Sequence, residues 1–458
     1  MLAGNPVFEM LDLKLASYIP FITQMRPGIF HAASDTIEVY NMGESDWNRE
    51  DTTSGFTALA HPSTIEIGRT HGVFVLKRAP PEDSLMTLAD CLQVLQKPSR
   101  HVMTQHNAVV NSSTRGDFVY TDSCFYFDHS VSQKFLQFYD KYAPLKCEID
   151  SYGDFLQALG PNATSDYVND IKNVSHVEEN LVETRGRIYD LLRGERLSVL
   201  VLNSSKFYHF GTMTEYIENF CQDTDLVTAL QFQCMSMSKC SGEKADGYEE
   251  TSKPTPALQG RIIHSMLHDG TVASTAVLEY CQFDVPVTVQ ARSLINSCSY
   301  LRGSGDDQRH FKLPPNLFMH SIALQQQQFT TVCVSVDDDV KKSVREISAL
   351  SNLRWFGRPL DTQLRRLGWS TESVFPNSNK MCLWNARLFP TLSSPSQSFE
   401  STFRLVNTLC GEKHLAGVDE FSGYHRVSLL EATSKLYDVQ SILSYRRELH
   451  DRIIARRN

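Results

Sequence analysis

Two regimes of hydrophobic patterning divide the chain. Up to about residue 230, short apolar runs alternate with amphipathic stretches: PGIFHAAS, HGVFVL and DFVYTDSCFYF read as strands, and LSVLVLN as a buried strand by its unbroken aliphatic composition. Between them, HVEENLVETRGRIYDLLRG spaces Val177, Leu181, Val182, Ile188, Leu191 and Leu192 along one face, the period of a helix packed on a sheet. This alternation predicts an α/β layer fold, most economically a parallel sheet with crossover helices. SSKFYHFGTMTEY, Ser204 to Tyr216, reads as a further strand, a Gly-Thr turn and a helix start. The stretch 238–260 is polar, rich in Gly, Pro, Ser, Lys and Glu, and without period, so it predicts a linker or surface loop. Expected domains are therefore 1–237 and 261–458, with 238–260 between them.

Beyond that stretch the period changes. An apolar residue returns every sixth place at Val277, Phe283, Val289, Ile295 and Leu301, and the small residues Cys281, Val287, Ser293 and Ser299 follow the first four at a fixed offset. A large aliphatic residue with a small partner every six residues predicts a parallel β-helix, each hexad forming one face of a triangular coil. An antiparallel meander is the alternative. The chain closes on KLYDVQSILSYRRELHDRIIARRN, a helix with an apolar stripe and basic last turns, expected to cap the coil.

Composition narrows the class of ligand. With 458 residues, 41% hydrophobic, 21% charged and a formal net charge of -9, the chain is an ordinary globular one without a Lys/Arg block. That balance argues against a broad surface for nucleic acid or anionic lipid and favours small ligands. The eleven cysteines are scattered, odd in number and never spaced CxxC, which argues against a zinc site or a disulfide frame and fits a reducing cytosol. Neither a signal peptide nor a membrane span is legible, so a cytoplasmic location is expected.

Several residues could carry chemistry. Asp35 follows the run Ile29 to Ala33 at the C-terminal end of a strand, where open α/β sheets bind ligands. A carboxylate there can hold Mg²⁺, and it can equally be a turn former or N-cap. Lys97, fixed before Pro98 in extended backbone, can reach a phosphate as a point charge. In CEIDSYGDFLQALG, Glu148, Asp150 and Asp154 crowd one segment. Asp150 and Asp154 would share a helical face and repel unless something cationic or hydroxylated lies between them. His209, between Tyr208 and Phe210, is a ligand, a base or a packed ring.

In order, the segments GIFHAASDTIEVY, GFTALAHPSTIEIGRTHGVFVL, LQKPSR, YTDSCFYFDHS, CEIDSYGDFLQALGP and LNSSKFYHFGTMTEY resemble the GDP-L-fucose pyrophosphorylases, over nearly the whole chain. The resemblance implies a nucleotidyltransferase-like, Rossmann-like mixed sheet followed by a β-helix-like domain. The implied activity is formation of GDP-L-fucose and pyrophosphate from GTP and L-fucose 1-phosphate with Mg²⁺, in fucose salvage. Asp35 then aligns with the metal-binding Asp of nucleotidyltransferases. Lys97 aligns with the Lys of their Glu-Lys-Pro string, although Gln96 stands where the Glu would be. Gly72 marks a close backbone approach to the sugar ring, and Glu148 and Asp150 are placed at fucose hydroxyls. His209 occupies the Asp position of a W-x-D-[IV]-G-T string. A neutral imidazole is a poor Mg²⁺ ligand, so Asp35 is expected to be the main protein ligand and His209 a donor to phosphate or a fucose hydroxyl, or a packed residue. The family's Gly-rich GxGGST loop has no counterpart here; the nearest string, LRGSGDD at 301–307, opens no helix. The expectation is an N-terminally incomplete enzyme, with a non-catalytic binding or regulatory relative as the alternative.

Overall fold

The computed structural model describes residues 18–19, 26–41, 55–171, 179–230, 232–240, 258–303, 308–376, 380–411 and 423–455. They belong to two units, one ending at His209 and the other opening at Phe210. That division falls before the expected linker, because Met235–Ser236 and Lys239–Cys240 already pair in parallel with Ile262–Ile263 and Met266–Leu267 of the second unit. Most of 238–260 lies outside the described residues.

The first unit is organised on β7 (Gly116–Asp128), whose residues from Phe118 to Phe127 are all buried. It pairs antiparallel with β1 (Gly28–Ala32), β3 (Phe56–Thr64), β6 (Val110–Ser112) and, at one position, β4 (Gly72–Leu76). β8 (Leu197–Leu202) lies parallel to β3, and β5 (Met86–Gln96) joins β8 to β4, giving the order β1-β7-β3-β8-β5-β4. The sheet is thus mixed, with β3–β8 its one parallel pair among the described residues, not the parallel sheet that the alternation predicted. The links from β4 to β5 and from β6 to β7 are too short for crossover helices, so these pairs of strands turn back on one another.

Helices α1 (His129–Tyr142) and α2 (Leu181–Leu192) pack on the sheet, α2 through Ile188 and Leu192, and Leu181 is buried as well. Val182, expected on that face, is exposed, and Val177 lies outside the described residues. β2 (Thr36–Tyr40) and β9 (Ser205–His209) form a separate antiparallel ribbon with Thr36 opposite His209. This register sets Asp35, one residue before β2, beside His209.

In the second unit, strands from 261 to 324 stack in three parallel ladders. Val277 faces Leu294, so this turn takes seventeen residues where three strict hexads would take eighteen. Val277, Phe283, Val289 and Ile295 are buried as the period required, while Leu301 is exposed. One ladder carries an unheralded polar row, Glu279, Asn296 and His320, all buried. Glu279 accepts from the Tyr216 hydroxyl and, at 2.8 Å, from Asn296 Nδ2. After Leu317–Leu324 the ladder turns antiparallel through Gln328–Ser335, Phe389–Leu392 and Arg426–Val427. The terminal helix Val439–Ala455 forms as expected, but it packs across successive turns, with Leu449 and Ile453 against Met266 and Tyr280, rather than over an end. Its stripe of Ile442, Leu449 and Ile453 includes the buried Arg446, stacked 4.1 Å over the Tyr280 ring.

Candidate functional site

The ends of β5 and β9, the starts of β2 and β4 and the centre of β7 open on one cavity of about 200 Å³ in the first unit. Asp35, Gly72, Asp150 and His209, four of the residues singled out from sequence, line it together. His209 Nε2 stands 3.5 Å from Asp35 Oδ2, and the His71 ring meets His209 edge-on at 5.5 Å. The short helix Ile65–Gly68 orients His71, whose Nδ1 lies 3.0 Å from the Ile67 carbonyl oxygen.

Asp122, which the sequence reading passed over, is the most buried acid of the cavity, 6% exposed. Its Oδ1 accepts the Gly72 N–H at 3.0 Å. Burial pushes its carboxyl up to about 7; the Gly72 N–H and Lys97 pull against that rise, and the negative charge of Asp150 adds to it. Gly72 is required by geometry, since a Cβ there would lie 2.2 Å from Asp122 Oδ2. Ser123, next along β7, also lines the cavity and meets His61 Nε2 at 2.8 Å. His61 Nδ1 lies 2.7 Å from Ser205 Oγ, whose own proton goes to the Leu202 carbonyl. Nδ1 is therefore the donor in that pair. A fully buried histidine thus ties β3, β7 and β9 together behind the cavity wall.

Asp150 is held by the turn that follows it. Its N–H donates to Asp154 Oδ2 at 2.9 Å, while Asp154 Oδ1 pairs with Arg185 Nε of α2 at 2.7 Å. Arg185 is the cation that the crowded acids called for, although burial still raises the Asp154 carboxyl. Tyr152, one turn on, lines the cavity and donates to the Ser123 carbonyl at 2.7 Å.

Two expected residues stand apart from the lining. Glu148 is exposed and outside it. Lys97 is exposed as well; its neighbour Gln96 lines the cavity in its place. The extended backbone expected at Lys97 is not found: its φ is +47°, and its N–H donates to the His71 carbonyl at 3.0 Å, pinning the end of β5 to the start of β4. The missed residues did leave one signal. A polar triplet, Thr121-Asp122-Ser123, interrupts the otherwise apolar and aromatic buried centre of β7.

Among the described residues, no group of three or more His, Cys, Asp or Glu could hold a metal ion by itself. Asp35, half-buried, is one of three carboxylates in the lining, with Asp122 and Asp150. No described helix is long and apolar enough to cross a membrane.

The family model of the fucose pyrophosphorylase domain matches residues 2–394. The chain is 37% identical to a Homo sapiens protein named fucose-1-phosphate guanylyltransferase, across 97% of this chain and 74% of that one. It is 34% identical to a Mus musculus protein of the same name, across 99% and 77%.

Proposed function

Because the chain belongs to the fucose pyrophosphorylase family, we propose that it forms GDP-L-fucose and pyrophosphate from GTP and L-fucose 1-phosphate, the reaction named for its human and mouse relatives. The observation that carries this reading is the cavity itself. It gathers Asp35, Gly72, Asp150 and His209, and two of its buried acceptors, Asp122 Oδ2 and Gln96 Oε1, have no donor among the described residues. An acceptor-rich cavity of this kind suits a polyhydroxylated ring, whose hydroxyls supply the missing donors.

In this reading Asp35 holds Mg²⁺, which when bound would neutralise and align the triphosphate oxygens. His209, beside Asp35, donates to a phosphate oxygen, and Lys97 adds positive charge from the rim. Gly72, where the Asp122 carboxylate takes the place of a side chain, is the point of the wall that the sugar ring approaches. Catalysis then rests on in-line positioning and charge neutralisation, as phosphoryl transfer generally does. The mixed sheet of the first unit supports a nucleotidyltransferase-like layer, and the three parallel ladders support a β-helix for the second.

The test is a coupled pyrophosphate-release assay. Release should require GTP, L-fucose 1-phosphate and Mg²⁺ together, and Asp35→Asn should abolish it while the melting curve stays unchanged. Release without fucose 1-phosphate, or none with all three present, would overturn the proposal.

A further inference from the structure

Asp122 has a feature that nucleotidyl transfer alone leaves unexplained. Its side chain is 6% exposed, yet Oδ2 meets no hydrogen-bond partner among the described residues, whereas Oδ1 is satisfied by the Gly72 N–H at 3.0 Å. A buried carboxylate oxygen without a donor is costly, and such orphans in native folds await a group that arrives with a ligand. The position of that oxygen against Gly72 is fixed at the level of sequence: any residue other than glycine at 72 would put its Cβ 2.2 Å from it. In the proposed reaction the divalent cation is assigned to Asp35 of the same cavity, which leaves Oδ2 of Asp122 to another partner. A hydroxyl, which brings one donor and asks for one acceptor, fits the vacancy in the hydrogen-bonding pattern.

Resting on the reading of this cavity as a sugar 1-phosphate site, we infer that Asp122 determines which sugar is taken: its Oδ2 accepts a hydrogen bond from one ring hydroxyl of L-fucose 1-phosphate, and a sugar lacking that hydroxyl is rejected. The backbone of Gly72 acts as the holder. By fixing Oδ1 it leaves Oδ2 one direction in which to accept, so the hydroxyl is read by position as well as by presence. A site built this way discriminates strongly, because the analogue without the hydroxyl leaves the buried acceptor unpaired.

The test is calorimetric titration of the full chain at about pH 8, where Asp122 is ionised and Oδ2 accepts, with L-fucose 1-phosphate and its 2-, 3- and 4-deoxy analogues, for wild type and Asp122→Asn. One deoxy analogue should bind wild type roughly 10- to 100-fold more weakly than the parent sugar phosphate. Asp122→Asn should bind the parent with a loss of the same order, and that same analogue with no further loss. Asp122→Ser repeats the comparison with a smaller side chain, and melting curves establish that each variant is folded. Persistence of every deoxy penalty in both variants would overturn the inference alone. So would a change in Mg²⁺ affinity with sugar binding intact. Failure of wild type to bind any sugar phosphate would overturn this inference and the proposed function together.

Discussion

Replacing Asp122 by Asn should change how the stability of the first unit depends on pH. In the unfolded chain this carboxyl titrates near its ordinary 3.8; in the fold, burial pushes it up to about 7. A raised carboxyl pKa means that the folded state holds the proton more tightly. The stability it contributes is thus fully present below about pH 4 and is lost as the pH rises to about 7. At 1.36 kcal/mol per pH unit the loss comes to about 4 kcal/mol. Asn cannot ionise, so Asp122→Asn removes this dependence. Its Oδ1 still accepts the Gly72 N–H, and its amide, placed where Oδ2 has no partner, costs about 1–3 kcal/mol at every pH. Wild type should therefore be the more stable protein at pH 4 and the less stable at pH 8. Thermal melts of both proteins at half-unit steps would show the difference in Tm reversing sign, with a total swing of roughly 8–16 °C for a unit of this size. A difference that stays flat across the range would refute the assignment of a proton to this buried carboxyl.

Other consequences are open to simpler checks. Arg185→Met leaves Asp154 buried without its cation and should cost about 3–5 kcal/mol in urea denaturation. If the variant still folds, the turn carrying Asp150 should loosen and sugar phosphate binding weaken. Gly72→Ala should displace Asp122 and lower sugar phosphate affinity at least roughly tenfold by calorimetry, the equivalent of one lost charged hydrogen bond. Tyr216→Phe removes a hydroxyl donor from buried Glu279 and should lower stability by about 1–3 kcal/mol, measured by chemical denaturation, with sugar phosphate binding unchanged.

What could be read from the sequence was whatever local pattern decides. The strands HGVFVL, DFVYTDSCFYF and LSVLVLN and the hexad positions through Ile295 follow from periodicity and form where they were expected, as does the α2 stripe at Leu181, Ile188 and Leu192 but not at the exposed Val182. The direction of the sheet did not follow, because strand pairing depends on the lengths of links between elements rather than on the strands themselves. Asp35 and His209 could each be named, but their meeting is a product of the β2–β9 register, which aligns positions 36 and 209. Lys97 shows the reverse error. A residue before proline is normally extended, yet the bond from its N–H to His71 holds it in the left-handed region. Asp122 was hidden because an acid in a buried strand looks like an interruption until the glycine across from it is seen to hold it.

A stack of parallel strands ends in an unpaired edge, and such an edge can template the next copy of the same chain into a fibre. Here the strand Leu317–Leu324 closes the stack by folding back as a hairpin on Gln328–Ser335, and Phe389–Leu392 and Arg426–Val427 follow in antiparallel order. Reversal of strand direction breaks the repeat that another copy would have to continue. In one of the three ladders the parallel edge is thus withdrawn, by the change from parallel to antiparallel pairing.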